Sequence, residues 1–312
     1  DVCSSDLLTH LIVGSEGTLG LVTEATLKLA PLPEHFSAVL ATFESADEAA
    51  GAVYGVMGSG VGPAALELLD SEAIRFMNTR VTDLPEKPTL LMEFHGATEA
   101  SLAAELELVE EICQEAGSVR FEAGVGREER DRLWEGRHAL GEILFSIYPD
   151  SNYLITDVSV PISAYPILAS YTNGLMKELN IHGTLFGHAG DGNLHTTTFA
   201  PKDDPEQYRV LKKFNDYVVQ KAIELEGTCT GEHGVGIGKQ KYMVYEHGEG
   251  AVDVRDGSAR LRDRLVPSGD SAARQRELAR HQRRRDRHHR VRHPGRRSCG
   301  IRSGRTACAG ST

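Results

Sequence analysis

The sequence predicts an α+β fold built on a ferredoxin-like antiparallel sheet with helices, and three observations carry that prediction. Beyond residue 36, strand-like and helix-like stretches alternate. The strand-like stretches are short and alternating rather than continuously apolar, which suits an antiparallel sheet with one exposed or partly covered face better than a doubly wound parallel one. Pro31 and Pro33 close an earlier strand and mark a domain boundary in front of that sheet.

Taken in order, residues 21–29 have a period of two: Leu, Thr, Ala, Leu and Leu at the odd positions, with Glu24, Thr26 and Lys28 facing the other way. That pattern predicts a half-buried strand. The loop GSEGTLG precedes it at residues 14–20. A second domain is expected over residues 34–253, opening with four strand and helix pairs: FSAVLATF and ADEAAGAVYGVM, AALELLD and SEAIRFMN, PTLLMEFHGA and SLAAELELVEEICQEAG, SVRFEAGV and REERDRLWEGRHALGEIL. The strand NYLITDVSV follows, then a helix over residues 166–179 with Leu168, Tyr171, Leu175 and Leu179 on one face. A long helix comes later, capped by Asp204 with Pro205 at its first position, buried through Leu211, Phe214, Val218 and Leu225, and ended by Gly227. These apolar stripes are core, not cofactor contacts.

Composition bounds the function. The chain has 312 residues, 40% of them apolar, enough for a sizeable core in one large domain or two ordinary ones. No run of 18 apolar residues and no charged-then-apolar leader is present, so neither a transmembrane segment nor a signal peptide is predicted. The cysteines at 3, 113, 229, 298 and 308 show no paired spacing, which fits a reducing compartment and no disulfide framework. The net charge of −11 is unevenly spread: residues 251–312 hold 17 Arg, no Lys and 6 acidic residues, a balance of +11, leaving −22 on residues 1–250. A basic nucleic-acid arm would mix Lys with Arg. Arginine alone, among scattered Gly, Ser, Pro and His, is what GC-rich coding DNA gives out of frame. Residues 254–312 are therefore expected to be a frameshifted, disordered tail, and no nucleic-acid partner is predicted. DVCSSDL at residues 1–7 reads as an adapter-derived scar.

The chemistry concentrates in two glycine-rich stretches. GHAGDGNLH, residues 187–195, holds two histidines across a Gly-Asp-Gly-Asn turn, flanked by the strand-like TLFG and LHTTTF. A hairpin there brings His188 and His195 together at the mouth of the loop, beside Asp191. Two imidazoles need a third ligand for a working metal site. GTCTGEHGVGIGKQKYM supplies Glu232 as that ligand and His233 as a base. Such a His, His, Glu set with an open position suits Zn²⁺ or another first-row ion such as Mn²⁺. From spacing alone, a surface loop with unrelated polar residues stays open as the alternative. GVGIGK is no P-loop, because the spacing to Lys239 is wrong and Gln240 stands where Ser or Thr is required. GSEGTLG is no dinucleotide fingerprint, because it precedes a strand instead of opening a helix.

Five stretches in order, LIVGSEGTLGLVTEATLKLAPLP, LWEGRHAL, TDVSVPIS, GHAGDGNLH and GTCTGEHGVGIGK, resemble the FAD-linked oxidase family, and within it the cytochrome-type D-lactate dehydrogenases, over roughly residues 8–250. The resemblance implies that residues 8–33 end an FAD-binding domain and that residues 34–253 form the C-terminal substrate and metal domain. It implies that His188, His195 and Glu232 hold a divalent metal, Zn or Mn, that Arg137 binds the substrate carboxylate, and that His233 takes the hydroxyl proton while hydride leaves for the flavin. Gly14, Ser15, Glu16, Gly17, Thr18 and Gly20 match the FAD-contacting loop, with Val22 and Thr23 on the strand behind it. The implied reaction is oxidation of a small D-2-hydroxy acid, D-lactate first. Glycolate and D-2-hydroxyglutarate are the alternatives within the family, and a His2Glu metal-dependent hydrolase the alternative outside it. The implied electron acceptor is cytochrome c or a quinone. The implied location is cytoplasmic or peripheral to the inner membrane, mitochondrial in a eukaryote. The larger part of the flavin domain and the family's Asn-Pro-Gly-Lys close have no counterpart here, so the fragment by itself is expected to be inactive and to hold FAD poorly.

Overall fold

The computed structural model describes residues 12–80, 82–125 and 127–252. The expected scar at 1–7 and tail at 254–312 lie outside the described residues.

Seven strands form one antiparallel sheet in the order β4-β1-β3-β2-β6-β7-β5. The chain runs β1 (His35–Phe43), α1 (Ala46–Gly58), β2 (Ala65–Leu69), α2 (Ser71–Asn78), β3 (Thr89–Gly96), α3 (Glu99–Glu115), β4 (Ser118–Val125), α4 (Arg127–Ile147), β5 (Ser151–Ser159), α5 (Tyr165–Glu178), β6 (Gly183–Gly187), β7 (Asn193–Pro201) and α6 (Pro205–Glu224). This path is a doubled ferredoxin-like unit. The first copy is β1-α1-β2-β3-α3-β4, with α2 inserted between β2 and β3, and it has the spatial order β4-β1-β3-β2. The second copy is β5-α5-β6-β7-α6, and a single bridge from Ser159 to Thr228 stands where its fourth strand would lie. The two copies join edge to edge through the pairs Leu68–Gly187 and Leu69–Phe186.

Local chemistry sets the helix starts. Ser45 and Glu48 form a reciprocal capping box on α1, Asp70 and Thr98 cap α2 and α3, and Asp204 accepts from the Gln207 amide ahead of Pro205 on α6. The far end of α6 differs from expectation. The helix stops at Glu224, and the left-handed residue is Glu226, with φ 62°, not Gly227.

Alternation along the strands feeds two cores. Val39, Leu68 and Leu90 face α1, α3, α5 and α6, while their neighbours Leu40, Leu69 and Leu91 face α2 and α4. The second face is thus covered over β1–β3 and partly open toward β5–β7. Phe186 and, by alternation along β7, His195 lie on that partly open face.

Residues 21–29 depart from the predicted strand. They pair with no strand among the described residues, and Leu21, Leu27 and Leu29 are exposed at 75–88%. The period-two pattern is present, but a strand needs a ladder and an apolar face to cover, and residues 21–29 have neither among the described residues.

Candidate metal and substrate site

The 187–195 stretch folds as the predicted hairpin, with β6 and β7 in register at Phe186–His195 and a short 3₁₀ turn, Ala189–Asp191, between them. Gly192 closes the turn at φ 69°, where a Cβ would sit 2.0 Å from the Val160 carbonyl, so only glycine fits. His195 projects from β7 and is buried, while His188 sits half exposed at the end of β6. Their rings lie 5.5 Å apart, edge to face. Asp191 is exposed in the turn and lies outside the cluster.

The loop after α6 meets this hairpin. Glu232 Oε1 is 3.2 Å from His188 Nε2 and 3.2 Å from His195 Nε2, and one donor atom from each residue lies within 4.8 Å of the other two. The His233 ring stacks on that of His195, centroids 5.0 Å apart and planes 8° from parallel. Above them α4 places Arg137, whose guanidinium lies over the Phe186 ring at 4.8 Å. Together these residues line an open pocket of about 310 Å³, with Phe145 and Ile155 as apolar wall. Every residue expected for metal, carboxylate and base thus converges on one cavity.

Two carboxylates that sequence reasoning missed hold the arrangement. Asp157, on β5 and directly opposite His195 in register, is 1% exposed. Its Oδ2 accepts the amides of Gly231, Glu232 and His233 at 2.9, 3.0 and 2.9 Å, and so fixes the backbone of the loop that carries Glu232. Asn193 donates to Oδ1 at 2.8 Å, and Lys239, the lysine of the rejected P-loop, donates to the Asp157 carbonyl at 2.6 Å. Burial by itself would raise the Asp157 pKa. The His195 ring, the His233 amide, Asn193 and Lys239 outweigh burial and hold it far below the usual carboxylate range. His195 Nδ1 lies 3.4 Å from Asp157 Oδ1 without an aligned hydrogen bond. Gly231 makes the close approach feasible: a Cβ there would stand 1.9 Å from Asn193 Nδ2 and 2.5 Å from Asp157 Oδ1.

The second carboxylate is Glu67 on β2. It bonds His188 Nδ1 through Oε1 and accepts from Arg137 Nε at 2.8 Å through Oε2. Burial raises its pKa, and the His188 and Arg137 contacts more than reverse that, leaving it lowered; His188 is raised in turn, chiefly by its bond to Glu67.

The glycine loop at 14–20 reaches the loop after α6, beyond Glu232 and His233. Gly14 and Gly17 take positive φ, the Thr18 hydroxyl donates to the Ser15 carbonyl at 2.6 Å, and the Glu16 carboxylate accepts the Val235 amide and, at 3.1 Å, that of Gly236. Gly20 and Thr23 are exposed, and Val22 is 69% exposed.

A doubled ferredoxin-like sheet bearing this pocket defines the class of protein first. An alkyldihydroxyacetonephosphate synthase structure superposes with a TM-score of 0.54 at 14% identity, covering 83% of this chain and 48% of that one. A 4-ethylphenol oxidase from Gulosibacter chungangensis does so at 0.53 and 14%, covering 74% and 53%. These likenesses establish the fold. Residues 32–256 match the family described as FAD linked oxidases, C-terminal domain, and the chain belongs to that family. Its curated relatives include a probable mitochondrial D-lactate dehydrogenase of Danio rerio, 36% identical over 80% of this chain and 50% of the relative. The mitochondrial D-lactate dehydrogenase [cytochrome] of Arabidopsis thaliana is 36% identical over 84% and 46%. Glycolate oxidase subunit GlcD of Bacillus subtilis is 38% identical over 81% and 54%. The chain spans about half the length of these relatives.

Proposed function

We propose that this chain is the substrate and metal domain of an FAD-dependent dehydrogenase of small D-2-hydroxy acids, D-lactate first, and that the convergence of His188, His195 and Glu232 beneath Arg137 carries the reading. The donor set fits a divalent ion. Tetrahedral bonds of about 2.0–2.1 Å put neighbouring donors roughly 3.3–3.4 Å apart, and two of the three separations here are 3.2 Å. Two imidazoles and one carboxylate suit Zn²⁺ or Mn²⁺. When bound, such an ion supplies Lewis acidity that lowers the pKa of a substrate hydroxyl.

The chain's own residues do the rest. Arg137 presents a planar fork to the substrate carboxylate, oriented by Glu67 and by the face of Phe186. His233, stacked on His195 and half exposed to the pocket, receives the hydroxyl proton at its imidazole nitrogen. Phe145, Ile155 and Phe186 give the substrate carbons an apolar wall. Arg137 is the one permanent cation among the described lining residues, which favours a monocarboxylate such as D-lactate or glycolate over D-2-hydroxyglutarate, whose second carboxylate needs another partner.

Within residues 14–23 the Glu16 carboxylate is committed to the 235–236 backbone, and Gly20, Val22 and Thr23 stand exposed. Their contact with FAD, the hydride acceptor of the family, is proposed only for the full-length enzyme, whose onward acceptor would be cytochrome c or a quinone. No described helix is long and apolar enough to cross a membrane. The mitochondrial names of several relatives support a mitochondrial location if the source is a eukaryote.

Calorimetry with Zn²⁺ and Mn²⁺ tests the reading. One ion per chain is expected, with binding lost in H188A, H195A and E232Q and kept in H233N. In the full-length enzyme, H233N should slow flavin bleaching by D-lactate at least 100-fold, the scale of general base catalysis. No metal uptake, or metal-dependent ester cleavage without flavin reduction, would reject it.

A further inference from the structure

Glu67 lies outside the proposed ligand set, yet it touches two members of the site. It sits in the middle of β2, its side chain 5% exposed, with one carboxylate oxygen toward His188 and the other toward Arg137. An ionised carboxylate only accepts hydrogen bonds, so both neighbours must donate to it. His188 must then carry a proton on Nδ1, and as a neutral ring it turns the Nε2 lone pair toward Glu232. Arg137, held by Nε, keeps its two terminal nitrogens for a ligand.

We infer that Glu67 is a positioning residue that ties the metal-ligating histidine to the carboxylate-binding arginine, fixing both in the arrangement that accepts an adjacent hydroxyl and carboxylate on one small acid. The inference rests on the reading of the site given above. It concerns hydrogen-bond direction, which a conservative substitution can reverse. Glutamine keeps the shape of glutamate but offers one acceptor and one donor. In E67Q, either His188 meets an amide N–H and moves its proton to Nε2, losing the lone pair a metal needs, or Arg137 meets it and swings away. Outer partners of metal-bound histidines are worth 10- to 100-fold in affinity.

The molecule contains its own control. Glu93 on β3 is another buried glutamate between a histidine and an arginine of α4, bonding His95 at 2.8 Å and Arg130 at 2.8 Å, away from the pocket. Zn²⁺ titrated into the full chain, followed by D-lactate into the zinc-loaded chain, should show E67Q at least tenfold weaker for one or both ligands and E93Q within twofold of wild type for both. In the zinc-loaded wild type, nitrogen-15 spectra should place the His188 proton on Nδ1, a readout that needs no variant. Zinc binding abolished by H188A but unaltered in E67Q, with D-lactate binding also unaltered, would overturn the role of Glu67 alone, as would a His188 proton on Nε2. No zinc uptake by wild type would overturn this inference and the reading of the site together.

Discussion

Two aspartates, Asp157 and Asp70, show how much a residue's partners decide. Asp157 accepts three consecutive amides and lies near Lys239, which keeps its carboxylate ionised in the interior. Asp70, only partly buried by comparison, has two amides and no cation among the described residues, and loss of hydration at its carboxylate pushes its pKa up to about 7. In D157N one oxygen is replaced by an N–H₂, and the charge that gathers the three amides is gone. Leaving a buried charged network half satisfied costs about 3 kcal/mol. Thermal unfolding followed by circular dichroism should place D157N roughly 6–12 °C below wild type at pH 7, with zinc affinity reduced because Glu232 is no longer held. An unchanged melting temperature would remove Asp157 from this role. Neither Asp157 nor Glu67 was legible as a site residue in the sequence. Each is one acidic letter in an apolar strand, NYLITDVSV or ALELL, and its partners are set by strand register, which no local spacing reports.

At the scale of elements, what was legible is what local chemistry determines. The HAGDGN turn, the cap at Asp204 and the period-two strands could be read because turn residues and cap side chains act on their immediate neighbours. Residues 21–29 mark the limit: the alternation is there, but a strand is completed by a partner, and no described strand provides one. The glycine-dense loop after α6 invites a test of the same kind. Gly231 has no room for a methyl group, whereas Gly238 has nothing within 4 Å of an added Cβ and ordinary backbone dihedrals. G231A should therefore push the loop away from Asn193 and Asp157, costing about 1–3 kcal/mol by overpacking and weakening zinc binding at least tenfold. G238A, seven residues along the same loop, should leave zinc affinity unchanged in parallel titrations. Equal effects of the two variants would mean that close approach at Gly231 does not position Glu232.

Across the whole molecule, the pocket depends on how the two ferredoxin-like copies are joined. Glu67 and Arg137 come from the first copy and the connection after it, and both histidines come from the second. The ladder between copies is only two residue pairs long. Asp70 extends it: its amide donates to the Leu185 carbonyl at 2.9 Å, and its side chain accepts the Leu185 amide and the Ala73 amide, each at 2.8 Å. One side chain thus caps α2 and pins β6. Because its folded pKa lies above the ordinary value of 3.8, the folded state binds the Asp70 proton more tightly than the unfolded chain. The stability it contributes is complete below about pH 3.8 and is lost as pH rises through about 7, with a ceiling of roughly 4 kcal/mol. Wild type should therefore lose stability in urea between pH 5 and 8, and D70N, which cannot ionise, should show a flatter profile over that window. Amide exchange at Leu185 should quicken with the same midpoint, reporting the joint itself. A wild-type profile as flat as that of D70N would mean that the carboxylate stays ionised at the seam, with its two amides alone outweighing burial.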